Sequence, residues 1–416
     1  MSPFTRRLVL LAVVGLAARI AYGLATKDPA GFKGDALWYH LVANNLADGH
    51  GYVAPFRFIS PTELRVGIGN ATVPTAFHLP LFPTVLAAFS LVGLDSETAH
   101  MIVGCGLGAL TVVLVGLVAR RLAGDLAGLA AAGIAALYPP LVMNDSVLLS
   151  ESLTGPTIAA ALLAALHLRE RPSARRALLL GALIGLAALN RSEALLLVVL
   201  LGVPAVLPSR SVLLATLVCL AAALTIAPWV IRNVDTFERS TFLTTGDGSV
   251  LRGANCDLSY YGRGTGSWDF RCLIDARIPR DESILAARWR DDALDYASDH
   301  SGRIPAVVAA RVARSFSLYP QPSRQVTELK FVEDRPRTLV WIALVVYAGV
   351  VALAVAGVAA LRDRLTDVAI LLAPVALVVI ASAAGYGAWR FRQPAEVSFV
   401  ALAGIGLARM LERRHA

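Results

Sequence analysis

Long apolar runs, separated by short basic or polar joints, dominate the chain. They cover roughly 8–25, 99–118, 126–142, 151–168, 176–189, 193–207, 211–230, 338–360, 366–384 and 394–409. Runs of about 18 or more apolar residues read as membrane helices. The pattern therefore predicts an all-α polytopic membrane protein with about ten crossings. The first run, "MSPFTRRLVLLAVVGLAARIAYGLA", has the charged start and apolar middle of a signal peptide. It is long for one, and no clean small-x-small site follows. It reads as a retained first helix, with cleavage as the alternative.

Arginines orient these runs. If Arg6 and Arg7 stay in the cytoplasm, alternation puts Arg120 and Arg121, "RERPSARR" (169–176), Arg210, Arg362 with Arg364, and the final "ERRHA" inside as well. Each of these short joints is basic, as the positive-inside rule demands. Both termini are then cytoplasmic. The segment "HLPLFPTVLAAFSLVGL" (78–94) is apolar enough to cross, but it is short and carries Pro80 and Pro83. Were it to cross, every joint from Arg120 to Arg210 would flip outside. It is expected instead to lie in the outer interface. Two large polar segments remain outside, 26–98 and 231–337. Residues 281–316 of the second carry helical spacing at Ile284, Ala287, Leu294 and Ala297. The chain divides on this reading into a transmembrane module at 1–230, a small extracytoplasmic subdomain at 231–337 that is α-rich with α+β possible, and C-terminal membrane helices at 338–416.

Composition narrows the classes. The chain is 56% hydrophobic and 16% charged, with a mean hydropathy of +0.63, which excludes a soluble domain. The net charge of +8 suits cytoplasmic anchoring rather than nucleic acid. The dominance of Ala, Gly, Leu, Val and Arg points to a bacterial cell (inner) membrane. Of the cysteines, Cys105 and Cys219 fall inside spans and read as packing residues. Cys256 and Cys272 share the outer segment, where an oxidising space favours a disulfide. Neither has ligand-spaced partners for zinc, and no metal site is expected.

Polar residues collect at the outer mouths of the spans: Asp35, Asp145 and Glu151 in "NDSVLLSESL", Arg191 and Glu193 in "NRSE", Arg232 in "APWVIRN", and Arg390 with Arg392 in "AWRFRQP". Acids and arginines converging at a bilayer interface suit a sugar carried on a polyprenyl phosphate. Arginines hold a phosphate and stabilise charge as it departs. A carboxylate takes the proton from an acceptor hydroxyl. One base and one phosphate leaving group imply a single inverting displacement, since retention needs a second carboxylate as nucleophile. Plainer readings stand beside these. Asp35 follows Gly34 and suits a helix N-cap. Asp145 and Glu151 suit a helix dipole. Arg390 and Arg392 suit snorkelling anchors, and Arg191 a turn. His40, His50 and His78 suit hydrogen-bonded interface positions. The aromatics Trp38, Tyr39, Tyr52, Phe56 and Phe58 suit either an interface belt or sugar-stacking surfaces. "GDGS" and "GRGTG" lack the strand–loop–helix context of a phosphate loop.

An ordered series of motifs resembles the bacterial branch of GT-C membrane glycosyltransferases related to protein O-mannosyltransferases and aminoarabinose transferases. "GDALWYHLVANNLADGHGY" resembles the acid-bearing first outer loop and "HLPLFPTVLAAF" the Pro-rich interfacial helix after it. "LYPPLVMNDSVLLSESL" resembles the junction of the third and fourth spans. "GLAALNRSEALLL" is similar to an Arg-Pro-Glu turn, "APWVIRN" to a Pro-Trp-Arg-Asn span end, and "WRFRQPAEVSFVAL" to an Arg-x-Arg-x-Pro segment. The resemblance implies a GT-C-type helical bundle and inverting transfer from a polyprenyl-phosphate sugar donor to a lipid, glycan or protein acceptor on the extracytoplasmic face. Asp35 matches the catalytic acid of that branch. Glu151, or Asp145, matches a second acid near the acceptor or a cation. Arg232, Arg390, Arg392 and Arg191 match lipid-phosphate positions, and Trp38, Tyr39 and His78 sugar contacts. A divalent cation is compatible with this set but not required by it. The sequence departs at Ser192, where proline is usual, at His78, where Arg or Lys is usual, and at Gln393, which separates Arg392 from Pro394. Rival readings are a transporter or flippase, which would carry paired broken helices and mid-membrane charges, a polymerase or ligase of lipid-linked glycans, and a non-catalytic scaffold.

Overall fold

The first apolar run forms one helix, α1 (Pro3–Thr26), capped by the Ser2 hydroxyl. At 1.5 Å per residue its 24 residues reach about 36 Å, enough to cross a hydrocarbon core of about 30 Å. In the computed structural model, residues 1–55, 73–274, 279 and 281–415 are described; Phe56 and Phe58 lie outside them. After α1 come α2 (Gly34–Ala47), α3 (Leu81–Ser90), α4 (Glu97–Leu137), α5 (Pro139–Asp145), α6 (Glu151–Glu170) and α7 (Ala174–Asn190). The stretch Ser192–Ser209 follows as 3₁₀ turns flanking the short helices α8 (Leu197–Leu200) and α9 (Gly202–Val206). Next are α10 (Val212–Thr236), α11 (Gly246–Ala254), α12 (Asp257–Tyr260), α13 (Glu282–Asp299), α14 (Ile304–Ser315) and α15 (Pro322–Glu333), and then α16 (Arg337–Ala360), α17 (Leu365–Ala384) and α18 (Gln393–His415).

Helix α4 is a hairpin rather than one rod. Ala123 and Gly124 leave helical geometry inside it, and Gly124 takes φ +81°, a left-handed conformation that only glycine adopts without strain. The chain returns along itself, so that Gly116 lies against Gly128 and Ala132. The two arms correspond to the separate apolar runs at 99–118 and 126–142, the second of which α5 continues past Tyr138. On the second arm Ala127, Ala131 and Ala135 are fully buried, a four-residue spacing of small side chains that lets α18 pack closely. Eight helices among the described residues are long and apolar enough to cross a membrane. They include α4 counted once and omit α7, which has 17 residues. The expected interfacial segment proves too short to cross. The 10 residues of α3 span about 15 Å, and α3 packs chiefly on α2.

The ends of the bundle carry different chemistry. At one end the basic joints meet. Arg169 approaches Asp367 at 2.9 Å, Arg364 approaches the same carboxylate at 2.6 Å, and Arg121 pairs with Glu170. At the other end lie the two large polar segments, whose described residues form helices joined by loops and turns, with an isolated bridge between Val53 and Pro74. There Cys256 and Cys272 form a disulfide with Cα atoms 6.3 Å apart and a sequence separation of 16. It joins the start of α12 to the 3₁₀ turn Phe270–Leu273. Closing a loop of that length contributes about 3 kcal/mol. Reductant is expected to lower the unfolding midpoint of detergent-purified protein, and to leave a Cys256→Ser/Cys272→Ser variant unchanged.

Candidate active site

Five chain segments bring polar groups to the end of the bundle remote from the basic joints. Helix α2 opens with Asp35 in its first turn. The extended stretch before α3 supplies His78. The start of α6 supplies Glu151, and the break between α7 and Ser192 supplies Arg191 and Glu193. The 3₁₀ turn Trp389–Arg392, just before α18, supplies Arg390. All of these side chains line one open cavity of about 1300 Å³.

Acids alternate with basic side chains along a ladder. His78 Nε2 stands 3.6 Å from Asp35 Oδ1, and Arg390 donates to Asp35 Oδ2 at 3.0 Å. Arg390 Nε lies 3.6 Å from Glu151 Oε1, which also accepts from Arg191 at 3.3 Å. Arg191 in turn donates to Glu193 at 2.6 Å. Asp35 keeps 28% of its side chain exposed to the cavity, whereas Glu151 keeps 3%. Burial alone would raise the Asp35 pKa, but the Arg390 guanidinium and the His78 ring outweigh it and hold the carboxyl well below the usual range. Asp35 is not the N-cap of α2. Lys33 holds that position, and the Asp35 carboxylate faces Arg390 instead.

Aromatic groups frame the ladder. The Tyr39 hydroxyl and His78 Nδ1 are 3.3 Å apart. Phe391 lies under the Arg191 guanidinium at 4.6 Å and against the Tyr386 ring at 4.8 Å. Burial pushes the Tyr386 phenol up, with Arg390 opposing, so it remains a protonated donor lining the cavity. Behind His78, Glu282 accepts from Ala76 N at 2.6 Å and from the Thr75 and Thr245 hydroxyls at 2.9 and 2.7 Å. These bonds clamp the stretch that carries the histidine.

Four expected site residues lie elsewhere. Arg392 is fully buried, donating to Glu396 at 2.5 Å and to Ser317 Oγ at 2.8 Å, with Tyr347 under its guanidinium at 3.7 Å. The two arginines stand two positions apart, about 240° around a 3₁₀ turn, so Arg390 meets the cavity and Arg392 the bundle. Arg232 spends its donors on the carbonyls of Thr75 at 2.9 Å and Tyr52 at 3.1 Å, the second of which also accepts from Thr75 N at 3.2 Å. Trp38 is 2% exposed and backs His78 with its ring, centroids 4.6 Å apart. Asp145 is buried below the cavity in an ion pair with Arg19, Nε to Oδ2 2.9 Å. Arg19, which the sequence reading did not single out, was visible as a charge within an apolar span. A Cβ on Gly108 would fall 2.4 Å from its Nε and 2.5 Å from Asp145 Oδ2, so only glycine admits the pair. Replacing Asp145 by Leu strands the Arg19 charge and is expected to cost about 3–5 kcal/mol of stability, read as a lower unfolding midpoint. Among the described residues no group of three His, Cys, Asp or Glu side chains is placed to hold a metal ion.

Comparison with known proteins follows the same lines. A family model described as dolichyl-phosphate-mannose-protein mannosyltransferase matches residues 76–231. No curated protein matches the chain in sequence. Among solved structures, the apo oligosaccharyltransferase of Archaeoglobus fulgidus superposes with a TM-score of 0.59 at 13% identity, covering 99% of this chain and 51% of that one. The Archaeoglobus fulgidus oligosaccharyltransferase AglB in complex with an inhibitory peptide and a dolichol-phosphate gives 0.60 at 14% identity, with coverage of 99% and 51%. ArnT from Cupriavidus metallidurans bound to undecaprenyl phosphate gives 0.44 at 16% identity, with coverage of 96% and 77%. The chain spans about half the length of the archaeal enzyme. It is a multi-pass membrane protein with a GT-C-type helical fold.

Proposed function

We propose that the protein is an inverting glycosyltransferase that moves a sugar from a polyprenyl-phosphate carrier to an acceptor hydroxyl on the extracytoplasmic face of the membrane. The observation that carries this reading is the contact between Asp35 and Arg390 in an open cavity at the end of the bundle remote from the basic joints. A mannosyltransferase family model over residues 76–231, and a dolichol-phosphate in one archaeal structure of this fold, support the choice of donor. The positive-inside pattern supports cytoplasmic termini and an outward-facing site.

The chemistry follows from the ladder. In the resting site Arg390 is shared between Asp35 and Glu151. A phosphate arriving at headgroup depth competes for that guanidinium, with Arg191 as the second cation. As Arg390 turns to the phosphate, Asp35 loses the partner that held its pKa down and gains basicity. Asp35 then takes the proton of the acceptor O–H while the oxygen attacks the anomeric carbon. The bond from that carbon to the phosphate oxygen breaks, and its electrons go to the phosphate, whose growing charge Arg390 and Arg191 offset. A single displacement inverts the anomeric centre. Glu151, nearly closed to the cavity, orients both arginines. Tyr39 and His78 form the wall against which the sugar rests.

The test is reconstitution in liposomes with a panel of labelled polyprenyl-phosphate sugars and bacterial membrane extract, followed by mass analysis. Transfer of one sugar, lost in an Asp35→Asn variant, is expected. Absence of transfer across the panel, with intact protein, would contradict the reading.

A further inference from the structure

From Arg335 in the cavity wall a chain of side chains for which the ladder gives no role runs into the bundle. Arg335, between α15 and α16, donates to the Asn144 carbonyl oxygen at 3.2 Å and to the backbone oxygen of Met143. Asn144 Nδ2 donates to Gln393 Oε1 at 2.9 Å, and Gln393 Nε2 donates to Asp145 Oδ1 at 3.2 Å. Asp145 ends the chain on Arg19, whose other donors meet the carbonyls of Gly15, Ala135 and Ala136. All five side chains belong to residues no more than 2% exposed. The direction of the bonds is dictated by charge. A guanidinium at one end only donates and a carboxylate at the other only accepts, so both amides can face one way alone. A flipped amide would set donor against donor.

The chain joins the parts that carry the cavity charges. Gln393 begins α18, three residues after Arg390. Asp145 ends α5, six residues before Glu151. Arg335 brings in the outer helix α15, and its guanidinium carbon lies 5.9 Å from the Trp389 ring centroid, in the turn that bears Arg390. Met143, Val326, Leu329, Val340 and Trp389 form one buried cluster around this joint.

We propose that Gln393 and Asn144 are positioning residues. Through a bond path from Arg335 to Asp145, they fix the 3₁₀ turn so that Arg390 faces the cavity, and they tie that placement to the seating of α15. The placement of Arg390 stands on the structure; its consequence for transfer rests on the function proposed above. Gln393→Met keeps length and volume while removing both amide bonds. Freed of the bond to Asp145, the turn can drift, and a misplacement of about 1 Å in a clamp costs on the order of 10²-fold.

Two measurements test this. The first needs no activity: hydrogen exchange of backbone amides 386–392 in detergent. Exchange about tenfold faster in Gln393→Met and in Arg335→Lys is expected, that is a local destabilisation, with α7 unchanged. Unaltered exchange in this segment in both variants overturns the inference, whether or not transfer is ever detected. The second is a double-mutant cycle on donor kcat/KM. Gln393→Met is expected to lower it by about 10–100-fold with the acceptor KM unmoved, and to add nothing in an Arg390→Ala background. Additive losses, or an equal rise in the acceptor KM, would mean general loosening and overturn the positioning role. Faster exchange in a protein that transfers no sugar would instead uphold the placement and refute the proposed function.

Discussion

Replacing Asp35 by Asn is expected to lower sugar transfer by about 10³-fold while leaving the folded protein and its affinity for the carrier intact. The amide oxygen can still accept from Arg390 across the same 3.0 Å contact, so the turn before α18 keeps its anchor. What is lost is proton acceptance in the transition state, which in general base catalysis is worth about 10²–10⁴-fold. Single-turnover transfer with saturating donor reads this loss, and a carrier-binding measurement on the same preparation separates it from damage to the site. Retention of full transfer in a correctly inserted variant would remove Asp35 from the chemistry.

Arg390→Ala is expected to cost about 10²–10³-fold in kcat/KM for the donor, the usual penalty for deleting a donor aimed at developing charge. A second effect separates it from Asp35→Asn. Arg390 is the strongest influence holding the Asp35 carboxyl below its ordinary range against burial. Without it, His78 remains the opposing influence to burial and the carboxyl titrates higher. The acid limb of the pH profile of kcat/KM is therefore expected to move toward neutral pH in Arg390→Ala. Arg392→Ala, by contrast, removes a guanidinium that never reaches the cavity and pairs with Glu396. Its expected effect is a lower unfolding midpoint.

Much of this architecture was legible from periodicity and arginine placement. The basic joints at 120–121, 169–176 and 362–364 do meet at one end of the bundle, and the short proline-bearing segment at 78–94 forms a helix of only 10 residues. These features follow from bilayer thickness and charge, which act on any apolar run. The bridge between Cys256 and Cys272 was legible for the same reason: topology placed both thiols in one compartment. The site was legible only as far as topology reaches. Membership of an outer joint put Asp35, Glu151, Arg191 and Arg390 at one end, but it could not tell Arg390 from Arg392. That choice depends on how the turn before α18 is rotated about its own axis, which its tertiary packing sets and the local residue pattern does not reveal. Nor could it foresee that Arg232 would be consumed by loop carbonyls. Asp145 looked equivalent to Glu151 because both flank the same junction. Helix α5 turns the first into the bundle against Arg19, and α6 begins with the second at the cavity wall. Gln393 stood out only as the residue that separates Arg392 from Pro394, and Asn144 carried no signal, since a neutral amide near a span end is ordinary.

The central claim is that carrier phosphate takes Arg390 from Asp35 and thereby activates the base. The pH dependence of the wild-type enzyme tests it most directly, because kcat/KM reports groups in the free enzyme and kcat those in the complex. The acid limb of kcat is predicted to lie at higher pH than that of kcat/KM. Coincident limbs, or a kcat limb at lower pH, would contradict the exchange and leave Asp35 bound to its arginine throughout the reaction.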